Sequence, residues 1–179
     1  MDYQSIIDKY YPEVYSKLRY ILITHSTLVM KRAVCICDAH PEMQMDRSFI
    51  IEAAMLHDIG ICKCDAAGIQ CFGTEPYICH GHIGAEMLRS EGLLRHARVC
   101  ERHTGTGLTK EDIISRNLPL PHEDFLPETL EEKVICYADK FYSKTHPERE
   151  KSFEKAKASL AKFGEEGVER FLQWREMFE

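Results

Sequence analysis

Apolar positions recur at helical spacing along nearly the whole chain of 179 residues, and no segment shows the strict alternation of a half-buried strand. The pattern predicts an all-α bundle. A first amphipathic helix is expected to start near Pro12, a residue suited to an initial turn, and to run toward His40-Pro41. Leu18, Ile21, Leu22, His25, Leu28 and Val29 share one face of it, which turns His25 inward. Asp46 can cap a second helix that passes through Phe49, Ile50, Ala53 and Ala54 to His57, with Gly60 as its stop. Residues 61–79 carry glycines and a proline and read as a loop over a site. Helical spacing resumes at HGHIGAEMLRSEG, where His80, Ile83, Gly84, Met87 and Leu88 share a face, and again at LLRHARVCERH, where His96, Val99, Cys100 and His103 do. After a loop from 104 to 127, Thr129 and Glu132 match a capping box. They open a helix expected to reach about His146 and to carry Asp139 among Ile135, Cys136 and Tyr142. The tail from Glu148 to Glu179 reads as two helices broken near Gly164 and packed on the outside of the bundle.

Length and composition narrow the picture. A chain of 179 residues suits one domain and can bury a core of its own. The formal charge of −6 argues against a nonspecific grip on a nucleic-acid backbone, which depends on clustered Lys and Arg. It leaves room for a small anionic substrate held by a local positive centre, and a bound metal ion can supply one. The eight cysteines are read as reduced thiols, because MDYQSIIDKY lacks the basic and apolar regions of a secretion signal. A cytoplasmic location is expected. Uninterrupted apolar runs such as YILI are far shorter than the roughly 20 residues of a membrane span.

The inward-facing ionisable groups are His25, His57, Asp58, His80, His103 and Asp139, drawn from separate helical segments. Imidazole nitrogen with carboxylate oxygen suits Fe, Mn, Co, Ni or Zn rather than the all-oxygen shells of Ca or Mg. Four of these groups can hold one divalent transition-metal ion and the other two a second. Asp58, beside His57 at a helix end, is the candidate bridge, since paired ions in hydrolytic sites lie about 3.5–4 Å apart.

On these residues the chain resembles the HD-domain phosphohydrolase superfamily in its HDIG subgroup. THS supplies the first histidine (His25), HDIG the central pair (His57 and Asp58) and YADKF the final aspartate (Asp139). HGHIGAEML and ERHTGTG resemble the two additional histidine motifs of dinuclear members such as diadenosine tetraphosphate hydrolases and cyclic dinucleotide phosphodiesterases. The resemblance implies that His80 and His103 bind a second ion, that residues 1–147 form the HD domain with the metal site, and that residues 148–179 pack on it. It also implies hydrolysis of a phosphate ester or anhydride of a small molecule, a nucleotide first among candidates, with His57 and Asp58 at the catalytic centre. Arg102, Lys140 and Lys144 are the candidate phosphate contacts, although each is otherwise expected at the solvated surface. Two departures stand out: Ile61 follows the HDIG glycine where many members have lysine, and the further motifs of the HD-GYP phosphodiesterases are absent.

Other readings carry less. His82 competes with His80 but fits the motif spacing less well, and His40, His96, His122 and His146 lack a comparable context. Cys62, Cys64, Cys71 and Cys79 do not have the usual spacing of a zinc ribbon and read as small hydrophobes. The charged run EREKSFEKAKASLAKFGEEGVER reads as a solvated helix face. Nothing in the sequence excludes a homodimer. A di-iron oxygenase on the same ligand set, or a nucleotide sensor without turnover, are the alternative functions.

Overall fold

The computed structural model describes all residues 1–179, as nine α-helices joined by short 3-10 turns together with one small sheet. Helix α2 (Ser16–Ala39) stands where the first helix was expected, and a further helix, α1 (Tyr3–Tyr10), precedes it. Asp2 caps α1 by accepting from the Gln4 and Ser5 amides. Pro12 is extended and leads into a 3-10 turn, Glu13–Tyr15, so the long helix begins later than the proline suggested. At 1.5 Å per residue α2 runs for about 36 Å and is the spine of the bundle. Counted with its preceding turn, Glu13–Ala39, it is long and apolar enough by composition to cross a bilayer. Its apolarity is spent inside the protein, where Leu18, Leu22, Val29 and Ala33 are buried.

Helix α3 (Arg47–Leu56) starts as expected, with Asp46 Oδ1 accepting from the Phe49 amide at 3.0 Å. Gly60 does not stop it. The chain passes through His57 and Asp58 into a 3-10 turn, Ile59–Lys63, and α4 (His80–Ser90) crosses directly over Gly60. A Cβ at residue 60 would lie 2.2 Å from the His80 carbonyl oxygen and 2.5 Å from the Gly84 nitrogen. The glycine serves close approach, which brings the HD pair and His80 together.

Residues 61–79 fold into more than a loop. Strand β1 (Cys64–Ala66) pairs antiparallel with β2 (Cys71–Phe72) and parallel with β3 (Glu75–Pro76), giving the order β2-β1-β3. Strands this short show no alternation in sequence. The nearby cysteines are free, and the thiols of Cys62, Cys64, Cys71 and Cys79 face backbone carbonyls rather than one another. Burial pushes the Cys64 and Cys71 thiols up to about 12, which keeps them protonated and poor as ligands.

Helix α5 (Leu94–Arg102) packs on α4, and α6 (Lys110–Ser115) arises inside the expected loop from a second capping box, Thr109 with Asp112. The Thr129–Glu132 box opens α7 (Leu130–Asp139) as expected, but the helix ends at Asp139 rather than near His146. Gly164, at φ +96°, separates α8 (Phe153–Leu160) and its trailing turn from α9 (Glu165–Phe178). These last helices pack on the bundle by one face, with Glu165, Glu169, Gln173 and Glu176 of α9 exposed on the other. Ala156, Leu160, Phe171, Trp174 and Phe178 join residues of α2, α3 and α7 in the larger of two main apolar cores. The second core gathers α1, the first turns of α2, α4 and part of α5. Along α2, Leu22 belongs to one core and Val29 to the other, and His25 falls between them.

Candidate metal centre

The backbone presents most of the centre at helix ends. His57 follows the last residue of α3, His103 follows the last of α5, His80 is the first residue of α4 and Asp139 the last of α7. Helix ends leave backbone carbonyls without partners. The imidazoles use carbonyls three residues earlier: Nδ1 of His57, His80 and His103 donates to the carbonyls of Ala54, Tyr77 and Cys100, each at 2.7 Å. That bond fixes the orientation of each ring and turns its Nε2 toward the interior, where a lone pair is free whenever the ring is neutral. His25, in mid-helix, reaches the same point from α2.

Two donor sets result, and they share Asp58. His25, His57, Asp58 and Asp139 form the inner set: Asp58 Oδ2 lies 3.2 Å from His25 Nε2 and 3.0 Å from His57 Nε2, while Asp139 Oδ1 lies 3.0 and 3.5 Å from the same atoms. The outer set is Asp58, His80 and His103, with Asp58 Oδ1 at 3.4 and 3.3 Å from their Nε2 atoms. One carboxylate therefore turns one oxygen to each set.

These residues fit divalent ions on their own geometry. His25 Nε2, His57 Nε2 and Asp58 Oδ1 are buried without a hydrogen-bond partner, a costly state unless a cation satisfies them, and Asp58 Oδ2 has the Lys144 ammonium against it. His80 Nε2 and His103 Nε2 face each other at 3.0 Å, and both are acceptors once their Nδ1 atoms donate elsewhere. Such a pair needs a positive centre between it. A proton serves poorly, because burial and the facing His103 hold His80 down to about 3, and burial lowers His103 too. His57 behaves oppositely: burial alone would lower it, but Asp58 and Asp139 outweigh that and raise it to about 9. The two carboxyls resist the upward push of burial and stay well below the usual range, Asp58 chiefly through His57 and Lys144, Asp139 chiefly through Lys140.

A cavity of about 570 Å³ opens on this centre. His80, His103 and Asp139 form part of its wall, whereas His25, His57 and Asp58 lie behind it. Lys140 and Lys144 are not surface residues. Lys140 Nζ lies 2.7 Å from Asp139 Oδ2 and donates to the His103 carbonyl at 2.8 Å, and Lys144 Nζ lies 2.7 Å from Asp58 Oδ2. Arg102 is elsewhere: it donates to the Leu126 carbonyl at 2.6 Å and pairs with Glu128 at 2.7 Å, outside the cavity wall. It ties down the segment before α7 and is corrected as a phosphate contact. His96 is a buried core histidine bonded to Glu52 at 3.2 Å, and His82 sits half-buried beside Phe125. Sequence reasoning missed Tyr77, whose ring stacks on His80 with centroids 4.6 Å apart, and Lys151 and Lys162, which line the cavity from the run read as solvated. Their one-residue signals have no pattern that could have marked them.

The chain is 36% identical over 124 residues to a tRNA (cytidine(56)-2'-O)-methyltransferase of Picrophilus torridus, covering 69% of this chain and 32% of that one. A protein of the same name from Thermoplasma volcanium is 32% identical over 123 residues, covering 68% and 32%. An uncharacterised protein of Methanocaldococcus jannaschii is 40% identical over 97 residues, covering 54% of this chain and 50% of that one. The chain thus spans between a third and a half of the length of these relatives. No solved structure matches it. The model of the HD domain matches residues 22–143, a span that holds all six ligand candidates. The chain belongs to the HD domain family, within the superfamily of metal-dependent phosphohydrolases.

Proposed function

We propose that the protein is a hydrolase that cleaves a phosphate ester or anhydride of a small molecule, a nucleotide being the leading class, at a pair of divalent transition-metal ions. One observation carries this reading: the Asp58 carboxylate faces two donor sets at once, and the outer set opens on a cavity lined with lysines. Bound there, two such ions supply an acidified water near neutral pH and neutralise charge on phosphoryl oxygens. His25, His57, Asp58 and Asp139 would hold the first ion, and Asp58, His80 and His103 the second. The buried position of the inner set excludes bulk water, and the Nδ1 bonds hold three of the imidazoles in place. Lys140 and Lys144, held by their carboxylate partners in the cavity wall, would meet the phosphoryl oxygens of a substrate. The ligand is read as small because the whole chain is acidic while these lysines converge inside a cavity. Two relatives are named tRNA methyltransferases, but the shared region is a third of each.

The test is elemental analysis of protein purified without chelators, followed by a phosphate-release screen over nucleoside mono-, di- and triphosphates with Mn, Co, Ni, Fe and Zn. About two ions per chain and metal-dependent phosphate release are expected. Oxygen consumption without phosphate release would move the assignment to an iron oxygenase. Tight nucleotide binding with no turnover under any metal would make the protein a sensor.

A further inference from the structure

The family match ends at residue 143, yet the cavity does not. Lys144, Lys151, Leu160, Lys162 and Phe163 complete its wall from the segment beyond. Four lysines line the cavity, and Asp139 is the one acidic residue among the lining side chains. Lys140 and Lys144 each have a carboxylate at 2.7 Å. Lys151 and Lys162 have none. Lys151 donates only to the Lys140 carbonyl, at 3.3 Å, and the Lys162 ammonium lies 5.0 Å from the centroid of the Phe163 ring. Burial pushes Lys151 below its usual range, and although Asp139 opposes this, Lys140, Lys144 and Lys162 add to it. Gathering uncompensated ammonium groups around a cavity raises the energy of the empty protein, and a multiply charged anion relieves it.

We propose that Lys151 and Lys162 form a second anion subsite that selects substrates carrying a phosphoryl group beyond the one held at the metal ligands. The subsite rests on the phosphohydrolase reading above and narrows its substrate to the multiply phosphorylated class. Lys140 and Lys144 serve the reacting phosphoryl group. Lys151 and Lys162 serve its neighbour, and because both come from the segment after residue 143, selectivity resides in this chain's extension of the family domain.

The experiment is calorimetric titration of metal-loaded protein with inorganic phosphate and with methylenediphosphonate, a two-phosphorus probe that water does not cleave. Lys151→Gln and Lys162→Gln are each expected to weaken the diphosphonate about tenfold while changing phosphate less than about twofold. Lys162 is exposed, so its replacement leaves the core untouched. Lys155→Gln removes the same charge from an exposed position of α8 outside the cavity and is expected to change neither ligand. The subsite is overturned if both probes weaken equally, if Lys155→Gln has the same effect, or if neither lysine matters. Metal-dependent phosphate binding with no preference for the diphosphonate would also remove the subsite alone, whereas wild-type protein that binds neither probe would remove the phosphohydrolase reading with it.

Discussion

The inner and outer halves of the centre are built from similar residues to different ends. The inner half has two histidines and two carboxylates, three of its members sealed behind the cavity wall, and its field raises His57 to about 9. The outer half has two histidines and one oxygen of a shared carboxylate, borders the cavity, and holds His80 down to about 3. Carboxylate count explains the contrast. With two anions in contact, an imidazole gains more from being charged than it loses by burial; facing another imidazole, it does not. On the proposed two-ion reading, the inner half would retain an ion and the outer half would present one to a ligand.

Replacing the shared group would break the comparison most completely. Asp58→Ala should lower metal content from about two ions per chain to nearly none and reduce metal-dependent turnover by on the order of a thousandfold or more, measured by elemental analysis and phosphate release. A variant that kept one full equivalent would show that Asp58 does not bridge. His103→Ala should cost one ion only, and stepwise chelation of the wild type should empty the outer half first, since it has three protein ligands against four. Loss of both ions from His103→Ala would mean that the halves do not bind independently.

A smaller effect separates the halves by their protons. With His57 raised to about 9 by its carboxylates and His80 lowered to about 3 by burial and His103, filling the inner half should release about one proton and filling the outer half almost none. Calorimetry in buffers of different ionisation enthalpy reads this directly, and equal release from the two steps would contradict it.

The smallest effect is on the metal-free fold. His57, raised from 6.5 to about 9, contributes stability that is present below pH 6.5 and lost as pH rises through 9. His80, lowered from 6.5 to about 3, contributes stability that is present above pH 6.5 and lost as pH falls toward 3. Denaturant titrations with a chelator present should therefore show an optimum near pH 6.5. Saturating metal should remove the alkaline limb and keep the acid one, because an ion takes the place of the His57 proton while the unfolded chain still gains protons as pH falls below 6.5. A monotonic profile in the metal-free protein would rule out the opposed shifts.

Local chemistry made much of this legible. The Asp46 and Thr129–Glu132 caps formed where their side chains announced them, because a cap is a contact within four residues. The six candidate ligands could be listed because inward-facing His and Asp stand out on apolar helix faces. Gly60 misled, since a glycine after a helix reads the same whether it ends the helix or admits another backbone. The tail shows where spacing stops: Phe171, Trp174 and Phe178 are spaced as an amphipathic face, but spacing does not say which core that face joins.

The sequence by itself determined the helical class, the family and the roster of groups able to hold metal, all of which depend on residue type and on spacing within one element. Only the tertiary structure decided that Asp58 divides its oxygens between two donor sets, that Arg102 serves the loop before α7, and that Lys151 and Lys162 reach the cavity. Those outcomes depend on the directions in which separate helices deliver their side chains, and helix directions are settled by packing between residues far apart in the chain.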